Sequence, residues 1–250
     1  MANNKQRRRL GAIVVLVGAI LLIVAVFVPW YTWQNKASEY GATITGTINT
    51  YPGLPSQNGT IQYSYSCSNL PKGVSCPSST SSSYSKLNLN NTGQLAEAGF
   101  YMLIAGFVLG FIGAVLGLMS GGNPRRAGPA IALAVIAMIL GIAAVGLFAG
   151  MLPSAIGKDS PGHTGTGPWS SFFGSSSNTS FEGIPASGTW GPAVGWYLTI
   201  GAFVVLLIGL IILIVARKDP AEPAPVSAPA PAGTAPATSG SPPTTATPPT

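Results

Sequence analysis

Charge is what this sequence has least of. Asp, Glu, Lys and Arg together make up 7% of its 250 residues, where a soluble chain carries roughly 25%. The polar surface that a water-soluble fold needs is missing, so lipid is the main solvent. Histidine occurs once, at His163, and cysteine twice, at Cys67 and Cys76. That set is too small for a four-ligand metal site, and the cysteines are too far apart for a C-x-x-C redox motif. No Gly-rich phosphate loop and no G-x-S-x-G elbow is present either. The expectation is a chain with no metal, no cofactor and no enzymatic activity. Net charge is +6, but the basic residues form no stripe and no aromatics are interleaved with them, so nucleic acid is not an expected partner.

What the sequence does have is apolar length: 47% of residues are hydrophobic and mean hydropathy is +0.42. A membrane-spanning helix needs about 20 mostly apolar residues. Four runs meet that: Leu10–Val28, Ala98–Met119, Pro129–Leu152 and Val194–Val215, none holding Asp, Glu, Lys, Arg or His. Intramembrane carboxylates mark proton and ion pathways in many transporters, so their absence argues against a proton-coupled carrier built within one bundle. The first run follows Lys5 and Arg7-Arg8-Arg9 but is long and lacks a small-residue cleavage site, so it reads as an uncleaved anchor.

Orientation follows from Lys and Arg near the helix ends. Lys5, Arg7, Arg8, Arg9, Arg125, Arg126, Arg217 and Lys218 lie on one side, while Lys36, Lys72, Lys86 and Lys158 are scattered through the longer segments on the other. Both termini and the Ser120–Gly128 loop are expected in the cytoplasm of a multi-pass cell-membrane protein. The N-x-[ST] sequons at Asn58, Asn90 and Asn178 all fall on the outer side, as possible glycosylation sites or chance products of Ser/Thr-rich loops.

The resulting segmentation is a basic N-terminus (1–9), spans at 10–28, 98–119, 129–152 and 194–216, outer segments at 29–97 and 153–193, a short inner loop (120–128) and a tail (217–250). Pro, Ala, Thr and Ser dominate the tail, which reads as disordered. In the first outer segment, Ala42–Tyr51 and Thr60–Ser66 alternate and are rich in β-branched or aromatic residues, and Ser82–Asn90 alternates more weakly. A small antiparallel sheet of three or four strands is expected there. Cys67 and Cys76 flank a Pro- and Gly-containing turn and face an oxidising side, which favours a disulfide. The second outer segment is rich in Gly and Ser and reads as largely flexible, with His163 a solvated loop residue.

Trp30 and Trp33 follow the first span directly and read as headgroup-level anchors, or alternatively as a plug beneath the sheet. Together with Tyr63 and Tyr65 they are candidate interface residues for a protein partner on the outer side. Small residues recur at Gly106 and Gly110, Gly113 and Gly117, and Gly146 and Gly150. That spacing lets helices approach closely, either within the bundle or between copies in a homo-oligomer.

This layout resembles the claudin and peripheral-myelin-protein group of four-pass membrane proteins. The resemblance is carried by Pro29-Trp30 after the first span, the strand-rich first outer segment and the Cys67-x8-Cys76 spacing. Ser64-Tyr65-Ser66 stands where claudins have Gly-Leu-Trp before the first cysteine, and Glu97 lies where a basic residue is usual. The resemblance therefore implies a four-helix transmembrane bundle carrying an extracellular β-sheet, without implying junction formation. The function expected is presentation of that sheet to a cell-surface, envelope or membrane partner. The alternatives are a subunit of an oligomeric pore or transporter, and an accessory subunit of a membrane complex.

Overall fold

A computed structural model describes residues 4–39, 41–53, 60–120, 124–162, 166–181 and 184–218. Four long helices carry a six-stranded antiparallel sheet. In chain order they are α1 (Asn4–Val26), β1 (Tyr31–Glu39), β2 (Ala42–Thr50), β3 (Thr60–Ser68), β4 (Thr80–Ser83), α2 (Asn90–Met119), α3 (Pro124–Asp159), β5 (Gly174–Phe181), β6 (Ile184–Pro192) and α4 (Val194–Lys218). All four helices are long and apolar enough to cross a membrane. Each also turns large apolar side chains outward, among them Ile13 and Val17 on α1, Phe111 on α2, Ile139 on α3 and Ile208 on α4. An apolar belt of that kind is stable against lipid and not against water.

In the bundle, α2 packs chiefly on α3 and α1 chiefly on α4, with α1 also against α2. Small residues make the α2 contacts possible. A methyl group added at Gly110 or at Gly117 would sit 3.0 Å from the Cβ of Ala19 or of Ala12 on α1, and one at Gly113 would sit 3.1 Å from the Ala130 carbonyl oxygen on α3. Gly106 faces Leu22 and the Ala137 carbonyl in the same way. These four glycines are consumed within the bundle. Gly146 and Gly150 are not: they are exposed, with nothing within 4 Å of an added Cβ.

The sheet order is β4-β3-β2-β1-β6-β5, so strands from both outer segments form one surface. This corrects three expectations. Strand β1 was not anticipated, because Tyr-Thr-Trp-Gln-Asn-Lys-Ala-Ser-Glu has little β-branched content; pairing with β2 and β6 on its two sides supplies what propensity does not. The second outer segment contributes the β5–β6 hairpin and is not largely flexible. Of Ser82–Asn90, only Ser82 and Ser83 are strand, as the end of β4; Ser85–Leu87 is a 3-10 turn, and Asn88 takes a left-handed conformation (φ 55°) just before α2.

Helix boundaries also move. α2 begins at Asn90, ahead of the apolar run, because a partner from another helix caps it: both carboxylate oxygens of Asp159, at the end of α3, accept from the Asn91 and Thr92 amides at 2.9 and 2.7 Å. α3 begins at Pro124, so the inner loop is shorter than Ser120–Gly128, and it continues through Pro153 to Asp159. Asn58, His163 and the Pro-rich tail lie outside the described residues.

Candidate interaction site: the sheet and its seat

The sheet is seated through the junction at Pro29-Trp30. The Trp30 indole donates to the Ala25 carbonyl at 2.8 Å, tying the side chain back to α1. Its backbone amide donates to the Thr50 carbonyl (2.8 Å), and its carbonyl accepts from the Ala193 amide (2.9 Å). The Pro29 carbonyl accepts from the Gly195 amide at 2.8 Å. One dipeptide thus joins the end of α1, the end of β2 and the start of α4. The Trp30 ring is fully buried, lies edge-to-face on Phe148 of α3 with centroids 5.2 Å apart, and passes over Gly195, where an added Cβ would meet its Cδ1 at 2.4 Å. Trp30 is therefore a plug beneath the sheet and not a headgroup anchor, which removes it from the interface candidates.

The strands alternate between two faces, with a register shift in β5 between Ser176 and Thr179. Facing the bundle are Tyr31 and Trp33, Ile48 and Thr50, Ile61 and Tyr63, and Ala186 and Trp190. Tyr31 packs against Phe172 and Trp33 against Trp169. The Trp190 indole donates to the Ser171 carbonyl at 3.1 Å. Ile61, Tyr84 and Ala96 form a small second core between the sheet and α2. Burial pushes the phenols of Tyr31 and Tyr84 well above their ordinary titration range, and Tyr84 donates to the Tyr51 carbonyl at 3.2 Å. Tyr63 is raised too, by burial first and then by neighbouring Tyr65.

Of the aromatic interface candidates, Trp33 and Tyr63 are thus half-buried on the bundle side. Tyr65 is exposed, on the same face but beyond the bundle's cover, beside exposed Ile44 across the Gly46 gap. The aromatic signal marked the seat of the sheet and missed its open surface.

That open surface is the opposite face, and it is nearly uniform. The register places Ser64, Thr47, Gln34, Thr189 and Ser175 in one row across five strands. A second row runs Ser66, Thr45, Lys36, Ser187, and a third Ser68, Thr43, Ser38. Nearest the bundle, Ser81, Gln62, Asn49 and Thr32 form a fourth. The Ser38 and Thr43 hydroxyls are 3.1 Å apart, within hydrogen-bond distance along their row. Neighbouring groups repeat at about 4.8 Å across strands and about 7 Å along them. Lys36 is the single charge in these rows. The sequence does carry this signal, since Thr43, Thr45, Thr47 and Asn49 alternate in plain view, but its meaning depends on five strands pairing in register.

The Cys67–Cys76 disulfide forms and closes the turn leaving β3, as the spacing suggested. Asn90 is exposed at the first residue of α2, although Thr92 of its sequon is buried. Asn178 lies in β5. Glu97 is half-buried and lines a cleft of about 200 Å³ with Tyr84, Gln94 and Leu89. Among the described residues, no group of three His, Cys, Asp or Glu side chains comes together to hold a metal ion. No protein-family model and no curated protein matches this chain.

Proposed function

We propose that this is a non-enzymatic multi-pass membrane protein with cytoplasmic termini. Its sheet stands outside the cell and presents the Ser/Thr/Asn/Gln face to an uncharged, hydroxyl-rich component of the envelope or of a neighbouring surface. The observation that carries this reading is the row structure of that face, with one charge in four rows. Protein-interface cores are enriched in aromatics, Met and Arg, and nucleic-acid surfaces are basic; this face is neither. Hydroxyls and amides both donate and accept, so they can exchange water for the hydroxyls of a neutral polymer. Each exchange is worth little, about 1 kcal/mol, but repeated rows meeting a repeated ligand add up. β-Branched Thr side chains in β2 are stiff at χ1, which lowers the cost of ordering them. The seated sheet on four long helices supports the claudin-like arrangement as an architecture, with a hairpin of the second outer segment completing the surface.

The test is retention of the full-length protein, in neutral detergent, on insoluble neutral polysaccharides (cellulose, chitin, mannan) and on envelope polymer purified from the native cell. The reading expects retention on at least one that survives high salt and is lost in the T45K/T47K variant. Equal retention of wild type and variant, or none on any polymer, contradicts it.

A second reading, a subunit of an oligomer, is favoured by one observation: Gly146 and Gly150 leave an unfilled groove on the outward side of α3.

A further inference from the structure

The opposite end of the bundle holds a buried charge that the protein only partly satisfies. Arg8 is 7% exposed. It lies one helical turn before Ala12, which touches the Gly117 position of α2, and its Nε donates to the Ala216 carbonyl of α4 at 3.1 Å. The guanidinium therefore sits where α1, α2 and α4 converge. Its Nη1 is buried and has no hydrogen-bond partner among the described residues. The guanidinium is a buried cation with an orphaned donor, and a buried charge needs a partner. The carbonyl end of α4 supplies only partial negative charge.

The surroundings point to what completes it. Arg8 is two residues from Leu10, where the apolar run begins, which puts it at the depth of lipid headgroups. Eight of the twelve Lys and Arg residues belong to this end. Arg9 and Arg217, beside the two bonded residues, are exposed. A phosphate group meets these requirements: it accepts several charge-assisted hydrogen bonds at once and matches the guanidinium fork. Basic pockets between helices on the cytoplasmic side bind anionic headgroups by this chemistry.

We infer that the cytoplasmic ends of α1, α2 and α4 form a phosphate site centred on Arg8, filled by the headgroup of an anionic phospholipid. The headgroup phosphate takes the free Nη1, with Arg9 and Arg217 at the rim. This site is separate from the sheet, so the sheet reading and this one stand or fall independently.

Native mass spectrometry of the full-length protein, titrated with phosphatidylglycerol, phosphatidylcholine or inorganic phosphate, tests it. One phosphatidylglycerol should bind most tightly, with affinity reduced about tenfold in R8Q and only a few-fold in R217Q. The R8K variant, which keeps the charge, should hold lipid better than R8Q; if R8Q does not fold, the R8K and R217Q losses still decide the matter. Inorganic phosphate binding as tightly as the lipid would make the ligand a free anion and overturn the lipid assignment. Unchanged phosphatidylglycerol binding in R8Q would overturn the site.

Discussion

Gly195 has no room for a methyl group. An added Cβ would meet the Trp30 ring at 2.4 Å and the Val28 carbonyl oxygen at 2.9 Å; the ring is held by its hydrogen bond to the Ala25 carbonyl, and the carbonyl is backbone. G195A should cost about 3 kcal/mol, the upper end of overpacking. G201A, on the same helix with nothing within 4 Å, should be neutral or slightly stabilising; thermal unfolding in detergent compares the two. Tyr84 gives a second prediction at this scale. Burial raises its phenol above the ordinary value of 10.0 in the folded state, so the stability tied to the neutral phenol is fully present below pH 10 and is lost as pH rises through the folded value. Alkaline unfolding should therefore be shallower in Y84F than in wild type, and absorbance titration of the phenolates should show a late class that Y84F reduces. The individual residues were unevenly legible. The cysteine pair could be read from its spacing, and Trp30 could be read as a headgroup anchor or a plug beneath the sheet, a choice the sequence could not make. Asp159 gave no signal, because it caps a helix whose first turn lies 67 and 68 positions earlier in the chain.

Helices were easier to read than strands because each carries its own evidence. A run of apolar residues without charge states its solvent, and lipid leaves the backbone no choice but to bond within the segment. The ends were less legible: Asn90–Glu97 is polar enough to pass for loop, and the Asp159 cap with the packing of Ala96 on Ile61 and Tyr84 makes it the first turns of α2. Strands β1, β5 and β6 have little strand preference of their own and depend on the strands beside them, β1 between β2 and the sequence-distant β6, and β5 against β6. Ser- and Gly-rich stretches such as Gly174–Phe181 have little preference for a strand until β6 lies alongside. Glycine spacing illustrates the same limit, since it could not say which motif is spent within the bundle. In the structure, Gly110 is closed in by Ala19 while Gly146 and Gly150 stand open. G110L should therefore disrupt the bundle, whereas G146L/G150L should leave thermal stability within about 0.5 kcal/mol of wild type. If the second reading holds, the latter pair also converts an assembled form to monomer in a native-mass measurement. Similar stability losses in both variants would show that α3 is packed on that side as well.

Across the whole molecule, two kinds of surface divide the described residues. Four helices long and apolar enough to cross a membrane carry apolar residues outward, and the sheet carries a hydroxyl and amide face that contains one charge. Trp30, Tyr31 and Trp190 lie where the two parts meet, so the sheet is held at a fixed attitude on the bundle. The functional reading depends on which side of the membrane that sheet occupies, and native lysines can report it. Lys36 lies in the outer rows, and Lys72 and Lys86 are exposed on the same end; Lys5 is exposed on the other. The deciding measurement is labelling of intact cells with a membrane-impermeant amine reagent, read residue by residue by mass spectrometry. Labelling of Lys36, Lys72 and Lys86 in intact cells, with Lys5 labelled only after lysis, is the predicted result. Labelling of Lys5 in intact cells with Lys36 protected would place the sheet in the cytoplasm and contradict the account.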